Sequence, residues 1–335
     1  MDGAVLNATP RSWKRHLVVV SRVLFLSAAL GILFWRLAED AGGALDAVWQ
    51  IGLPAVLGAL LSAAAGLGAS GLAWRSLLRG VGAPLALHGA IRVFFTGQIG
   101  KYIPGAVWAY VAHAKLGREH GVPASSTTAA SVLFVTAHTA TGAVVAGLVL
   151  PFASGAVFDQ FGWVALLAPL LLACLHPRLV LPVLRWLHRV LGRGSAPERV
   201  CGLAIMRALG WLTVTWIGYG LSMLLLLAPV TRSGAETLLA PTALAPIALG
   251  GFALAWTVGF LAAGILVITP AGIGVREVVL LMVLGPVVSG GAAAAVVLLS
   301  RVVHTLADGG WALIGMGMRA PQQPLQVDDH QPVTR

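Results

Sequence analysis

The chain has 335 residues, 58% of them apolar, and a mean hydropathy of +0.88. Only 10% are Asp, Glu, Lys or Arg, against roughly 25% in a soluble globular domain. This composition excludes a soluble enzyme, a secreted disulfide scaffold and a disordered chain. The long unbroken apolar runs exclude a membrane β-barrel, whose strands alternate in polarity. What remains is an all-α polytopic membrane protein. Its 22 basic residues outnumber 12 acidic ones, for a net charge of +10. Excess Lys and Arg on cytoplasmic loops, and contact with anionic headgroups, account for that balance. No nucleic-acid-binding module has room between the spans, so no nucleic-acid partner is expected. Cys174 and Cys201 lie in or beside apolar stretches and imply neither a disulfide framework nor a metal cluster.

In chain order, residues 1–16 are polar, carry Arg11, Lys14 and Arg15, and read as a cytoplasmic N-terminus. Leu17 to Ala38 has span length with no cleavage site after it, so it predicts a retained first helix. Glu39, Asp40 and Asp46 predict an acidic external loop. A second span is expected over Leu53 to Ala73, and Arg75 and Arg79 bring the chain back inside. Residues 88 to 118 are flanked by bases on both sides and interrupted by Gly97, Gly100, Pro104 and Gly105. Broken backbone at membrane depth is tolerated only inside protein or beside a water-filled cavity. Two half-helices in a re-entrant hairpin fit this pattern; a single kinked span is the other possibility.

Ser126 to Leu150 predicts a further span, Asp159 a short external loop, and Gly162 to Leu175 another span. An arginine-rich stretch follows. Within it, Val180, Val183, Leu184, Leu187 and Leu191 fall on one helical face, apart from Arg178, Arg185 and Arg189. That spacing predicts an interfacial amphipathic helix over 177–191. Spans are expected at Leu209 to Ala228, Leu244 to Ile268 and Gly291 to Met318. A second interrupted element, ITPAGIGVREVVLLMVLGP, lies between the last two. The tail 319–335 reads as disordered and cytoplasmic. The whole predicts one transmembrane domain, 17–318, with about six to eight membrane helices. The two breaks, one in each half, point to a possible inverted repeat with a substrate site between the halves.

Charges inside spans cost about 2.5–3.5 kcal/mol each on insertion scales and usually face a cavity or a partner. The candidates are Arg92, Lys101, Arg276, Glu277, Arg301 and Asp308, with His113, His138 and His304. Lys101 sits at the hairpin tip, where free helix-end N–H groups favour an anion; snorkelling to the interface is its alternative. Arg276 follows the break at Pro270, Gly272 and Gly274, with Glu277 as counter-charge, so it reads as an anion site, a structural pair, or both. Arg301, His304 and Asp308 share one helix face. They either pair internally, Arg301 with Asp308, or line a cavity opposite Lys101 and Arg276. His138 reads as a helix-packing residue more readily than a proton carrier, and His113 as packing or cavity lining. Nucleotide, metalloprotease and hydrolase signatures are absent, so neither an enzyme nor a cofactor is expected.

FFTGQIGKYIPGAVWAYVAHAKL and ITPAGIGVREVVLLMVL resemble the two hallmark segments of the lysylphosphatidylglycerol synthase transmembrane family of flippase-like proteins. The resemblance rests on Gly100, Lys101, Tyr102, Pro104 and Gly105 in the first segment. In the second it rests on Pro270, Gly272, Gly274, Arg276 and Glu277. Ala271 stands where the family often has Gly, which would stiffen the second break. The resemblance implies a stand-alone translocator without the synthetase domain. It would move an anionic lipid, such as an aminoacylated phospholipid or a polyprenyl-phosphate-linked sugar, across the cell membrane. Lys101 and Arg276, then Arg92 and Arg301, are the expected phosphate ligands. Glu277, His304, Asp308, Tyr102, His113 and His138 are the expected polar support. The rival expectation is a membrane partner of a separate synthetase or glycosyltransferase.

Overall fold

The computed structural model describes residues 31–103, 107–152, 163–191, 199–231, 241–266 and 274–318, with isolated positions at 27, 159 and 197. The N-terminus, most of the expected first helix and the tail lie outside the described residues. So do Pro104, Gly105, Pro270 and Gly272 of the two breaks. Residues 31–39 are helical. Ten helices follow among the described residues: α1 (Ala41–Gly80), α2 (Leu87–Gln98), α3 (Trp108–Glu119), α4 (Ala124–Val149), α5 (Val164–Cys174), α6 (Pro177–Leu191), α7 (Gly202–Thr231), α8 (Pro241–Leu266), α9 (Val275–Leu284) and α10 (Gly290–Gly317). A 3₁₀ turn, Ile99–Tyr102, extends α2. No strand occurs among the described residues. Among the described residues, five helices are long and apolar enough to cross a membrane, six if the bent pair α5–α6 counts as one span. The chain is a multi-pass all-α membrane protein.

The long helix α1 is broken once. Gly52 takes φ 64°, ψ 166°, and Pro54 follows inside the helix without an N–H to donate. The break falls one residue before the expected second span at Leu53. The segment before it is helix, where the sequence predicted an acidic loop. Asp40 is the reason. Its carboxylate accepts from Gly43 N (3.0 Å) at the start of α1, and from Ser289 Oγ (2.7 Å) and Gly291 N (3.0 Å) at the start of α10. One side chain thus caps two helices whose free N–H groups attract negative charge. Asp46 lies inside α1.

The two halves of the sequence meet where α1 packs on α7. A Cβ on Gly218 would stand 2.8 Å from Gly66 Cα and 2.9 Å from Ser62 O. Only glycine lets these backbones approach so closely, as in small-residue crossings of membrane helices. The buried core around the crossing includes Trp74, Leu77, Leu78, Leu212, Trp216 and Met223.

Helices α2 and α3 form the hairpin anticipated from the sequence. A Cβ on Gly97 would collide with the His113 ring, and one on Gly89 would meet His120 at 3.1 Å, so the arms run antiparallel. At the tip, a Cβ on Gly100 would stand 2.6 Å from Ala109 N. Each arm has 12 residues, about 18 Å at 1.5 Å per residue, against a hydrocarbon core of about 30 Å. The expected span at Gly162 to Leu175 corresponds to α5, which has 11 residues and bends by 70° into α6. Within α6, Val180 and Leu184 are buried, whereas Val183 is exposed, as are Arg178, Arg185 and Arg189.

Candidate functional site

Six elements converge on one cleft: α1, the 3₁₀ turn at the hairpin tip, α7, α8, the start of α9 and the middle of α10. It encloses about 380 Å³, part of it open to the outside. Lys101, Tyr102, Trp256, Arg276, Arg301 and Asp308 line it, together with Tyr219, His304 and Thr305.

The first break contributes Lys101 and Tyr102. Lys101 Nζ lies 2.7 Å from Asp308 Oδ2 on α10, and Tyr102 Oη donates to the same oxygen at 2.6 Å. The second break contributes Arg276 and Glu277. Gly274 takes φ 98°, which turns the chain into α9. Glu277 then reaches back to accept from Gly274 N at 2.6 Å. Its other oxygen lies 3.4 Å from Arg301 on α10. The polar face of α10 is therefore paired outward, Arg301 with Glu277 and Asp308 with Lys101. The internal Arg301–Asp308 pair that the spacing allowed is not the arrangement, because each residue has a nearer partner on another element.

Three cations thus face two carboxylates, and Arg276 is the one left over. It is 3% exposed. Its guanidinium lies over the Phe252 ring at 4.6 Å and the Trp256 ring at 5.5 Å. Nε and Nη2 find no hydrogen-bond partner among the described residues. A planar guanidinium held against aromatic rings has its fork of N–H donors fixed in place. Buried polar groups are almost always hydrogen-bonded, so two donors without a partner among the described residues leave this buried cation able to take the oxygens of an anion.

His304 lies beside it. Its ring stacks on Phe252 at 4.8 Å and meets Tyr219 edge-on at 5.1 Å. Nδ1 is 2.8 Å from Ser300 O, and Nε2 has no partner among the described residues.

Other anticipated residues lie elsewhere. Arg92 is not at the cleft: it donates to Met318 O (2.6 Å) and to Glu119 Oε2 (3.2 Å), tying the hairpin base to the end of α10. A cation is favourable at a helix C-terminus, where carbonyls lack partners. His113 is a core residue, 3% exposed. Its Nε2 faces Phe94 O and its Nδ1 faces Ser131 Oγ. A carbonyl only accepts, so Nε2 carries the proton and Nδ1 accepts the serine hydroxyl. His138 packs among Phe134, Trp216 and Trp256, behind the cleft wall. The aromatic seat of Arg276 was not anticipated. Its one sequence signal is Phe252 and Trp256 spaced i, i+4 on an otherwise Ala- and Gly-rich helix. Among the described residues, no cluster of His, Cys, Asp and Glu has metal-binding geometry.

No curated protein matches the chain. The family model described as the lysylphosphatidylglycerol synthase TM region matches residues 17–308, a stretch that holds both helix breaks and every residue of the cleft. That family is tied to lipid modification or flipping in membranes. The match covers most of the chain, and the chain belongs to the lysylphosphatidylglycerol synthase transmembrane-region family.

Proposed function

We propose that the protein is a lipid translocase that moves an anionic, phosphate-bearing lipid between the leaflets of the cell membrane. The observation that carries this reading is Arg276: a buried guanidinium over two rings, with two nitrogens that have no partner among the described residues, in a cleft. Phosphate oxygens are the natural acceptors for such a fixed pair of donors. Lys101 and Arg301 would join as the headgroup enters, exchanging part of their carboxylate pairing for phosphate. The hydrocarbon tails would stay in the bilayer. The two breaks meet at the cleft, as in transporters whose halves rock about a shared site. In this reading both termini face the cytoplasm.

Glu277 and Asp308 favour transport over catalysis. Each is engaged by a cation and a second donor, which leaves neither carboxylate poised as a general base. The test is reconstitution of the purified protein into vesicles carrying labelled phosphatidylglycerol or polyprenyl phosphate. Wild type should accelerate leaflet exchange of at least one of them, and Arg276→Gln should lose that acceleration. Equal exchange by wild type, Arg276→Gln and empty vesicles would overturn the proposal.

A further inference from the structure

The cleft offers a ligand more than positive charge. Next to the orphan donors of Arg276 stands an orphan acceptor. His304 Nδ1 lies 2.8 Å from Ser300 O. A carbonyl oxygen can only accept, so Nδ1 carries the ring proton. The neutral ring then presents a bare lone pair at Nε2. That atom is buried and has no partner among the described residues. The rest of the ring is enclosed by Phe252 and Tyr219. The nearest carboxylate on its own helix, Asp308, is engaged by Lys101 and Tyr102. Arg276 and His304 both pack against Phe252, at 4.6 and 4.8 Å, and both line the one cleft.

We propose that His304 reads a hydrogen-bond donor on the ligand. The cleft then selects singly charged phosphate esters that carry a hydroxyl beside the anionic oxygens. This rests on the translocase reading above and adds a selectivity to it. Charge fixes the first half of the specification: three cations and two carboxylates leave room for one negative charge. The lone pair fixes the second. A phosphodiester with no hydroxyl would satisfy Arg276 and leave Nε2 unpaired, which a buried site penalises. Two sources supply the donor. One is the P–OH of a monoprotonated phosphate monoester; the other is a hydroxyl on the headgroup of a diester.

Three lipids with the same acyl chains separate these cases: phosphatidylglycerol (hydroxyl on the headgroup), phosphatidic acid (P–OH) and phosphatidylmethanol (neither). Binding to the purified full-length protein and leaflet exchange in vesicles are both measured. At least one of the first two should be preferred over phosphatidylmethanol by about tenfold or more. Which one is preferred names the source of the donor. His304→Phe keeps the stacked ring and removes the lone pair. It should abolish the difference between the preferred lipid and phosphatidylmethanol. Equal handling of all three lipids by wild type overturns the assignment, as does a preference that survives His304→Phe. Selective binding without exchange would sink the translocase reading alone. Exchange without selectivity would sink the His304 assignment alone, and neither binding nor exchange would sink both.

Discussion

Lys101 and Asp308 are 207 residues apart in sequence, and their side chains lie 2.7 Å apart across the cleft. The pair joins the tip of a hairpin to the middle of the last helix, and both side chains are mostly shielded, at 21% and 14% exposure. Removing one partner strands the other. Lys101→Met and Asp308→Asn should each loosen the hairpin, read as faster hydrogen exchange over α2 and α3. In a double-mutant cycle on thermal or denaturant stability, the coupling should be on the order of 1 kcal/mol. A coupling of zero would show that the contact holds nothing.

Arg276 should not tolerate lysine. The flat guanidinium lies over Phe252 and Trp256 in the lining of the cleft, and an ammonium on a flexible stem reproduces neither its planarity nor its fork of donors. Arg276→Lys keeps the charge, yet should weaken binding of an anionic lipid by about tenfold or more. Titration of labelled lipid against purified protein checks this. Full activity in the lysine variant would mean that charge alone matters there.

Gly218 should be among the least replaceable glycines in the chain. A methyl group there runs into the α1 backbone at Gly66 and Ser62. Gly218→Ala should destabilise by roughly 1–3 kcal/mol, the usual cost of forcing an extra carbon into a packed interface. Gly309 on α10 has open space around it, so Gly309→Ala should be neutral or slightly stabilising. Thermal unfolding of both variants in the same detergent gives the comparison.

The end of the bundle at Asp40 should be acid-sensitive. Hydrogen bonds from Ser289, Gly291 and Gly43 hold the Asp40 carboxyl below its ordinary value of 3.8. The unfolded chain binds that proton more readily than the folded one. The stabilisation is therefore complete above the ordinary value and is lost as pH falls through the depressed one. Hydrogen exchange at the first turns of α1 and α10, corrected for intrinsic rates, should accelerate in wild type below about pH 4. Asp40→Asn should begin less protected and show no such pH step.

Local breaks were legible in the sequence because their causes are local. Gly97, Gly100 and Gly274 interrupt apolar runs, and helices end where glycine, proline and charge cluster. The second span could be started at Leu53 because Gly52 and Pro54 bracket it. Partnerships were less legible. Arg92 looks the same as Lys101 in sequence, an isolated base in apolar surroundings, and only tertiary contact sends it to Glu119 and Met318. The internal pairing of Arg301 with Asp308 looked natural at seven residues' spacing until partners arrived from both breaks. Asp40 resembled a loop acid, because its role depends on an N-terminus about 250 residues later. The seat of Arg276 escaped for the same reason: Phe252 and Trp256 belong to a helix that precedes the break and carry no chemistry of their own.

The short arms of the hairpin have an electrical consequence. A charge bound at a tip about 18 Å along a 12-residue arm sits partway through the thickness over which the membrane potential falls. A full crossing is worth about 2.3 kcal/mol per charge at 100 mV. A headgroup that reaches the cleft from one face has already traversed part of that drop, and from the other face it must cross the remainder. In the translocase reading, occupancy of the site by a singly charged lipid would depend on voltage, with opposite sign for entry from the two leaflets. A polarised membrane would thereby bias the direction of exchange.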